Sequence, residues 1–299
     1  MVTREFLEER KTGVGGSDAP IILGVSKWSS PLQIWAQKVR ALEEDVEEEE
    51  QQDDEQLLWG RLVEPIVVKQ FGKETGREVY HCEMFARHPE IPWLIGHADG
   101  EQMRWDRDRA LIECKNVSRF LWMEWMEDAP LPVKVQVQHY LAAFDLEMAS
   151  AVALIGGNQL VWKDIERNQA FIDAMLEEEQ RFWARVISDN PPPATAADCK
   201  FLNTLVPEDP KVFIQMPSVG LDLHEELVGV KNEIEKIRAQ MDPLEKKKDE
   251  LEARIKQEMG EATGASLPDG SMYTFKTTRR KGFEVKPAEF RTLRFKKGK

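Results

Sequence analysis

Asp99 and, after thirteen intervening residues, Glu113-Cys114-Lys115 are the residues of this chain whose types and spacing could do chemistry. Side chains alternate faces along a strand, so Glu113 and Lys115 point one way and Ile112 and Cys114 the other. Between Asp99 and Ala110 lies a polar turn, Arg104 to Arg109, flanked by segments that read as strands. A hairpin is therefore expected, with Asp99 returned to the neighbourhood of Glu113. Two carboxylates and one ammonium would then converge at one end of a sheet. Oxygen donors suit a hard divalent cation, and a neighbouring ammonium can orient water or steady negative charge developing on a phosphate. Taken alone, an E-x-K strand is more often a solvated face, so its company decides.

That company comes from three other segments. Upstream, LLWGRLVEP opens an amphipathic helix from Leu57 to about Gly72, with Glu64 near its start beside Leu62, Val63 and Ile66. A glutamate there could equally serve only the helix dipole. Downstream, VQVQHYL begins a helix on which Gln136 and Tyr140, four apart, share a face. They could hold water or a phosphate without adding charge, or form an ordinary polar stripe. Near the N-terminus, Arg10 to Asp18 is a glycine-rich turn in which Ser17 reads as an N-cap whose helix offers free amides to an anion. No Gly-Lys-Ser/Thr follows, so it is not a nucleotide-binding P-loop.

In order, Glu64, Asp99, Glu113-x-Lys115 and Gln136-xxx-Tyr140 make the chain similar to the YqaJ-like viral recombinase (phage lambda exonuclease) family, within the PD-(D/E)xK nucleases. The resemblance covers about residues 5–193 and includes GVGGSDAPIILGVSKWSSPLQIW, WGRLVEP, IGHADG, IECK, VQVQHYL and RFWARV…NPPP. One departure is His97-Ala98-Asp99, where the family often has a proline near the aspartate. The fold it implies is α/β (α+β), a restriction-endonuclease-like core with a central mixed sheet flanked by helices.

The resemblance also implies roles. Glu64, Asp99 and Glu113 would be metal ligands, with the Ile112 carbonyl or the Cys114 backbone adding an oxygen. Lys115 would orient the attacking water or stabilise the phosphorus centre, and Gln136 would assist. Arg10 and Ser17, with Tyr140, would bind the 5′-terminal phosphate or DNA. The expected cofactor is Mg²⁺ or Mn²⁺, two ions per site, and the expected activity is 5′→3′ digestion of double-stranded DNA ends in a phage recombination system. The 3′ tails would pass to a single-strand annealing protein, and the family's ring implies a trimer. A structure-specific endonuclease of the same fold and an inert DNA-end-binding assembly factor are the competing readings.

The elements that must position these residues fall into parts. Residues 1–193 mix helix and strand signals and close on Pro191-Pro192-Pro193; 194–220 read as a linker. Residues 221–260 carry apolar positions from Leu227 to Ile255 spaced alternately by three and four, with Lys248 the one polar residue on the seam. This is one kinked helix or, around Asp242-Pro243, two forming a hairpin, with the unbroken register favouring the former. It could mediate oligomerisation, pack on the nuclease domain or dock a partner. Residues 261–299 form a basic tail that reads as a β-hairpin and suits phosphate backbone better than sequence readout. Trp122 and Trp125 are candidates for stacking on unpaired bases, though core packing suits them better.

A net charge of −13 argues little against DNA, because residues 43–55 hold ten acids and no base and read as a solvated loop. Residues 276–299 hold ten Lys or Arg against two Glu. The three cysteines, Cys82, Cys114 and Cys199, lie far apart, which argues against zinc or a disulfide framework and fits a reducing cytoplasm. Neither a signal peptide nor a run long enough to span a membrane is expected.

Overall fold

The computed structural model describes residues 9–43, 55–103, 108–199, 201–202 and 213–278. The acidic block between 43 and 55, most of the turn after Met103 and the basic tail beyond 278 lie outside them. The described chain divides into two units, Met1–Val206 and Pro207–Lys299.

Strand β3, Arg109–Val117, is the centre of the first unit because it is apolar on both faces where a partner layer exists. It lies third in a five-stranded sheet of order β1-β2-β3-β4-β5, with β1 Glu78–Arg87, β2 Ile95–Met103, β4 Met148–Ile155 and β5 Gln159–Glu166. Only β3 and β4 run parallel; the other neighbours are antiparallel. A parallel pair needs a crossover. Here a 3₁₀ segment, Arg119–Trp125, and a helix, Leu131–Phe144, supply it. The mixed sheet flanked by helices is the architecture expected.

Alternation sorts the core into two layers. Ile112, Cys114 and Val152 face the helix Glu55–Thr75 through Val67, Val68 and Phe71. Leu111, Ala149, Ala151 and Ala153 face the crossover helix through Val137 and Leu141. Three alanines in alternate positions on β4 leave room for a helix that is itself buried on most sides. With helices numbered in chain order, α1 is Ala19–Ile22, α2 Pro31–Glu43, α3 Glu55–Thr75, α4 the crossover helix and α5 Gln169–Ile187.

Two expectations change. The helix carrying Glu64 begins at Glu55, not Leu57, so Glu64 sits mid-helix just before Pro65 and has no role at a helix start. The boundary drawn at 193 falls within the first unit. A capped 3₁₀ turn, Ala196–Asp198, is anchored there by Asp198, buried and bonded to the Ser30 hydroxyl and to Gln33 Nε2 at 3.3 Å. Trp125 is core, whereas Trp122 is exposed.

In the second unit, helix α6 runs unbroken from Val219 to Met259 with Pro243 inside it, so the helical-hairpin alternative does not apply. Gly260 ends it at φ 55°. A small hairpin follows, β6 Gly264–Ser266 against β7 Met272–Thr274, earlier in the chain than the basic residues expected to form one. Among the described residues, no helix is long and apolar enough to cross a membrane.

Candidate active site

The ladder between β2 and β3 runs from Met103–Arg109 to Gly100–Ile112 and ends there. The next backbone donor on β3, the Cys114 N–H, is taken by the Asp99 side chain, Oδ2, at 2.7 Å. The sheet thus exchanges a backbone partner for a carboxylate at its working end. The Cys114 backbone enters the site as this donor.

Glu113 and Lys115 share a face, as the alternation predicts, and that face meets α4. Glu113 Oε1 accepts from Lys115 Nζ at 2.6 Å and from Gln136 Nε2 at 2.8 Å. Gln136 Oε1 accepts from Lys115 Nζ at 2.9 Å, so the amide clamps both members of the pair. Among the described residues, Glu113 Oε2 is buried without a hydrogen-bond partner. An unpartnered carboxylate oxygen in the interior is costly. It is the strongest local sign that the site is built for a further group.

Electrostatics agrees. Burial, with the charge of Glu64, outweighs the Cys114 N–H and Lys115 and raises the Asp99 carboxyl to about 6. Burial and the charge of Asp99 outweigh Lys115 and Gln136 and raise Glu113 to about 7. The Lys115 ammonium is held above its usual range: burial opposes the charge, but Glu113 and Asp99 outweigh it. Asp99 and Glu113 beside one ammonium, with the Glu64 charge acting on Asp99, leave surplus negative charge in a desolvated place.

Asp99 and Glu113 are the carboxylates that the fold brings together. Glu64 is close enough to act on Asp99 by its charge, and its Oε2 lies 3.9 Å from His81 Nε2. Among the described residues, no three Asp, Glu, His or Cys side chains close into a metal-holding group. The donors at hand, an orphan Glu113 oxygen beside Asp99, nevertheless fit an oxygen-preferring divalent ion.

The N-terminal loop reaches the site through Tyr140. The Tyr140 hydroxyl accepts from Gln136 Nε2 at 2.8 Å, and its ring lies against Gly16. Any Cβ at Gly16 would stand 2.2 Å from Tyr140 Cε1. Tyr140 is buried and supports this loop from beneath. Arg10 Nη2 lies 3.5 Å from both Ser17 Oγ and Asp18 Oδ1. Ser17 is exposed and does not cap a helix; the N-cap is Asp18, and α1 is a single turn with no anion site of its own.

The sequence reading missed what holds that loop. Asp18, 1% exposed, accepts from the Gly15 N–H at 3.0 Å and pairs with Lys38 Nζ at 2.8 Å. Lys38 also donates to the carbonyls of Arg10 and Gly13, each at 2.8 Å. Burial works against the Asp18 charge, but Lys38, Arg10 and the Gly15 N–H hold its carboxyl below the usual range. The loop is sewn to β2 as well: Val14 N–H donates to Trp93 O, and Ile95 N–H to Val14 O. Behind it His139, fully buried, contacts Glu179 Oε1 at 2.8 Å and the Ile95 carbonyl at 2.9 Å. An alternation of glycines with a buried Asp was the one available signal.

This fold and this ordered set of residues define the class. The chain belongs to the YqaJ-like viral recombinase family, whose domain model matches residues 5–147. It is 33% identical over 266 residues to the Bacillus subtilis (strain 168) uncharacterized protein YqaJ, covering 86% of this chain and 78% of that one. Among solved structures it is similar to the alkaline exonuclease LHK-Exo from Laribacter hongkongensis. The match spans 63% of this chain and 94% of that enzyme, with a TM-score of 0.52 at 19% identity. LHK-Exo in complex with dAMP aligns over the same shares with a TM-score of 0.53 at 20% identity. At such identities the likeness speaks to fold.

Proposed function

We propose that this protein is a divalent-metal-dependent deoxyribonuclease, an exonuclease that digests double-stranded DNA ends 5′→3′ and leaves 3′ single-stranded tails for strand annealing. The observation that carries the reading is the convergence of Asp99, Glu113, Lys115 and Gln136 on one end of β3, with Glu113 Oε2 buried and unpartnered among the described residues. Family membership and the exonuclease fold support it.

Asp99 and Glu113, with Glu64 alongside, would hold Mg²⁺ or Mn²⁺, two ions by family resemblance, with an oxygen from Ile112 or Cys114 in support. Bound there, the metal would supply the positive charge that makes water nucleophilic near neutral pH and eases departure of the 3′ oxygen. Lys115, kept protonated by Glu113, places a fixed positive charge where negative charge grows on the phosphoryl oxygens. Gln136 holds Lys115 and Glu113 in one orientation and adds no charge. Arg10, half-buried, and Ser17, exposed, at the loop that Tyr140 supports, would receive the 5′-terminal phosphate, a bond type for which guanidinium is well shaped. A trimer, an annealing partner and a phage or prophage setting in the host cytoplasm follow from family resemblance and belong to the same proposal.

The test is digestion of end-labelled linear duplex with and without Mg²⁺, alongside closed circular DNA. Linear DNA should be degraded from its 5′ ends only with metal. Nicking of circles at a matching rate would favour the endonuclease reading. Binding of ends without metal-dependent turnover would favour an inert assembly factor.

A further inference from the structure

Helix α6 presents a stripe that, among the described residues of its own unit, nothing covers. Met259 is its one buried residue among 41, and Leu244 at its middle is 71% exposed. A helix gains most of its stability from packing an apolar face. This one keeps its apolar stripe open and carries Pro243 internally, which removes a backbone hydrogen bond.

The stripe is a heptad seam. Leu227, Ile234, Met241, Lys248 and Ile255 occupy its a positions. Val230, Ile237, Leu244 and Leu251 occupy its d positions. The flanking charges change sign halfway. On the g side Glu226 and Glu233 precede Lys247 and Arg254; on the e side Lys231 and Arg238 precede Glu245 and Glu252. The reversal is centred on Asp242–Pro243.

We propose that α6 docks a second copy of itself as a two-stranded antiparallel coiled coil centred on Asp242–Pro243. In that arrangement Glu226 meets the partner's Arg254 and Glu233 meets the partner's Lys247. On the other flank Lys231 meets the partner's Glu252 and Arg238 the partner's Glu245. Each of these four pairs is of opposite charge, and on the g side between them Gln240 meets the partner's Gln240 without charge. In the seam Val230 packs on the partner's Ile255, and Met241 on the partner's Leu244. Lys248 lies against the partner's Ile237 and extends its stem along the apolar surface. A parallel dimer would also oppose unlike charges on its flanks, Glu226 to the partner's Lys231, Glu233 to the partner's Arg238 and Lys247 to the partner's Glu252. It would, however, stack Lys248 on the partner's Lys248 in the seam and set Gln240 against the partner's Glu245, and these two contacts favour the antiparallel form. Folding α6 back on itself would bring the same charges together, but that requires a break, and the helix is continuous from Val219 to Met259. Pro243 falls at a c position, outside the seam, where its ring obstructs nothing. The inference is independent of the nuclease reading.

The experiment uses the full chain with Cys82 and Cys199 replaced by Ser. Val230→Cys and Ile255→Cys variants are oxidised separately and as an equal mixture. Mixed disulfide dimers containing one of each, with few dimers from either alone, are expected. Efficient dimers from each variant alone mean a parallel coil and overturn the proposal. A chain carrying both substitutions that closes within a monomer overturns it in favour of a fold-back. Because all eight flanking residues are exposed, charge reversal offers a second readout without burying anything. Glu226→Lys with Glu233→Lys should lower the molar mass by light scattering at least twofold, and adding Lys247→Glu with Arg254→Glu should restore it. Restoration by Lys231→Glu with Arg238→Glu instead, or an unchanged mass in the first variant, would overturn the antiparallel arrangement.

Discussion

Tyr140 stands directly over Gly16, near enough that a Cβ there would lie 2.2 Å from its ring, while its hydroxyl is bonded to Gln136. The N-terminal loop and the carboxylate centre therefore share one support. A glycine two residues before a buried aspartate is needed because of a helix more than a hundred residues away.

Gly16→Ala must push the Tyr140 ring aside, and should cost about 1–3 kcal/mol, the range for overpacking. Gly13→Ala, whose Cβ would stand 2.3 Å from the Trp93 carbonyl oxygen, should be at least as costly. Gly15→Ala meets nothing closer than Asp18 Oδ2 at 3.7 Å and should be nearly neutral. Urea midpoints of the three variants check the order. Equal losses at all three would show that the close approaches are not what selects glycine.

Lys38→Met removes the nearest cation from the buried Asp18, leaving Arg10 at 3.5 Å and the Gly15 N–H, and should destabilise by roughly 3–5 kcal/mol. Adding Asp18→Asn should recover part of that loss, because the stranded charge is gone. A double-mutant cycle by chemical denaturation measures this. Strict additivity of the two substitutions would mean that the pair does not interact.

Glu113→Gln and Lys115→Met should each lower nuclease turnover by roughly 10²–10³-fold, the scale for losing a preorganised electrostatic group. Stability should respond differently in the two. Glu113→Gln relieves the repulsion with Asp99 and should unfold no earlier than the parent in metal-free buffer. Lys115→Met removes the ammonium bonded to Glu113 and Gln136 and should unfold sooner. Turnover and thermal melting, measured side by side in chelator and in Mg²⁺, decide both.

His139 gives a pH prediction. Burial disfavours its charge, but the Glu179 carboxylate, the Ile95 carbonyl and Asp18 outweigh burial and raise its pKa above 6.5. A base whose folded pKa is raised stabilises the fold fully below its unfolded pKa, and that contribution is lost as pH rises through the folded value. The parent should therefore lose stability on going from neutral to alkaline buffer, and Glu179→Gln should flatten that slope. An equally steep slope in the variant would place the titrating group elsewhere.

The parts of the site readable from sequence are those with a local period. Glu113 and Lys115 share a face because strands alternate, and Gln136 and Tyr140 bond because helices repeat every four residues. The two layers of the core follow from the same alternation. What escaped depends on distant segments. Lys38 looks like an ordinary helical lysine until the loop it holds, 25 residues upstream at Gly13, is folded over it. Asp198 sits in a stretch of linker composition, yet its partner Ser30 is 168 residues away. Glu64 differs again: the pattern places it near the start of a helix opening at Leu57, and it lies instead inside a helix that begins at Glu55 and carries Pro65 internally. The heptad spacing in α6 was plain, but the exposure of its seam required the structure.

The bond between Asp99 and the Cys114 N–H gives one carboxylate two separable duties. Its charge belongs to the site, while its oxygen caps the end of the β2–β3 ladder. An Asn keeps an acceptor of the same shape and gives up the charge; an Ala strands a backbone donor, which costs about 1–3 kcal/mol when buried. A trapped complex with DNA is therefore better sought with Asp99→Asn than with Asp99→Ala. By the same reasoning, a descendant of this protein that had abandoned chemistry while keeping its architecture should carry Asn at position 99.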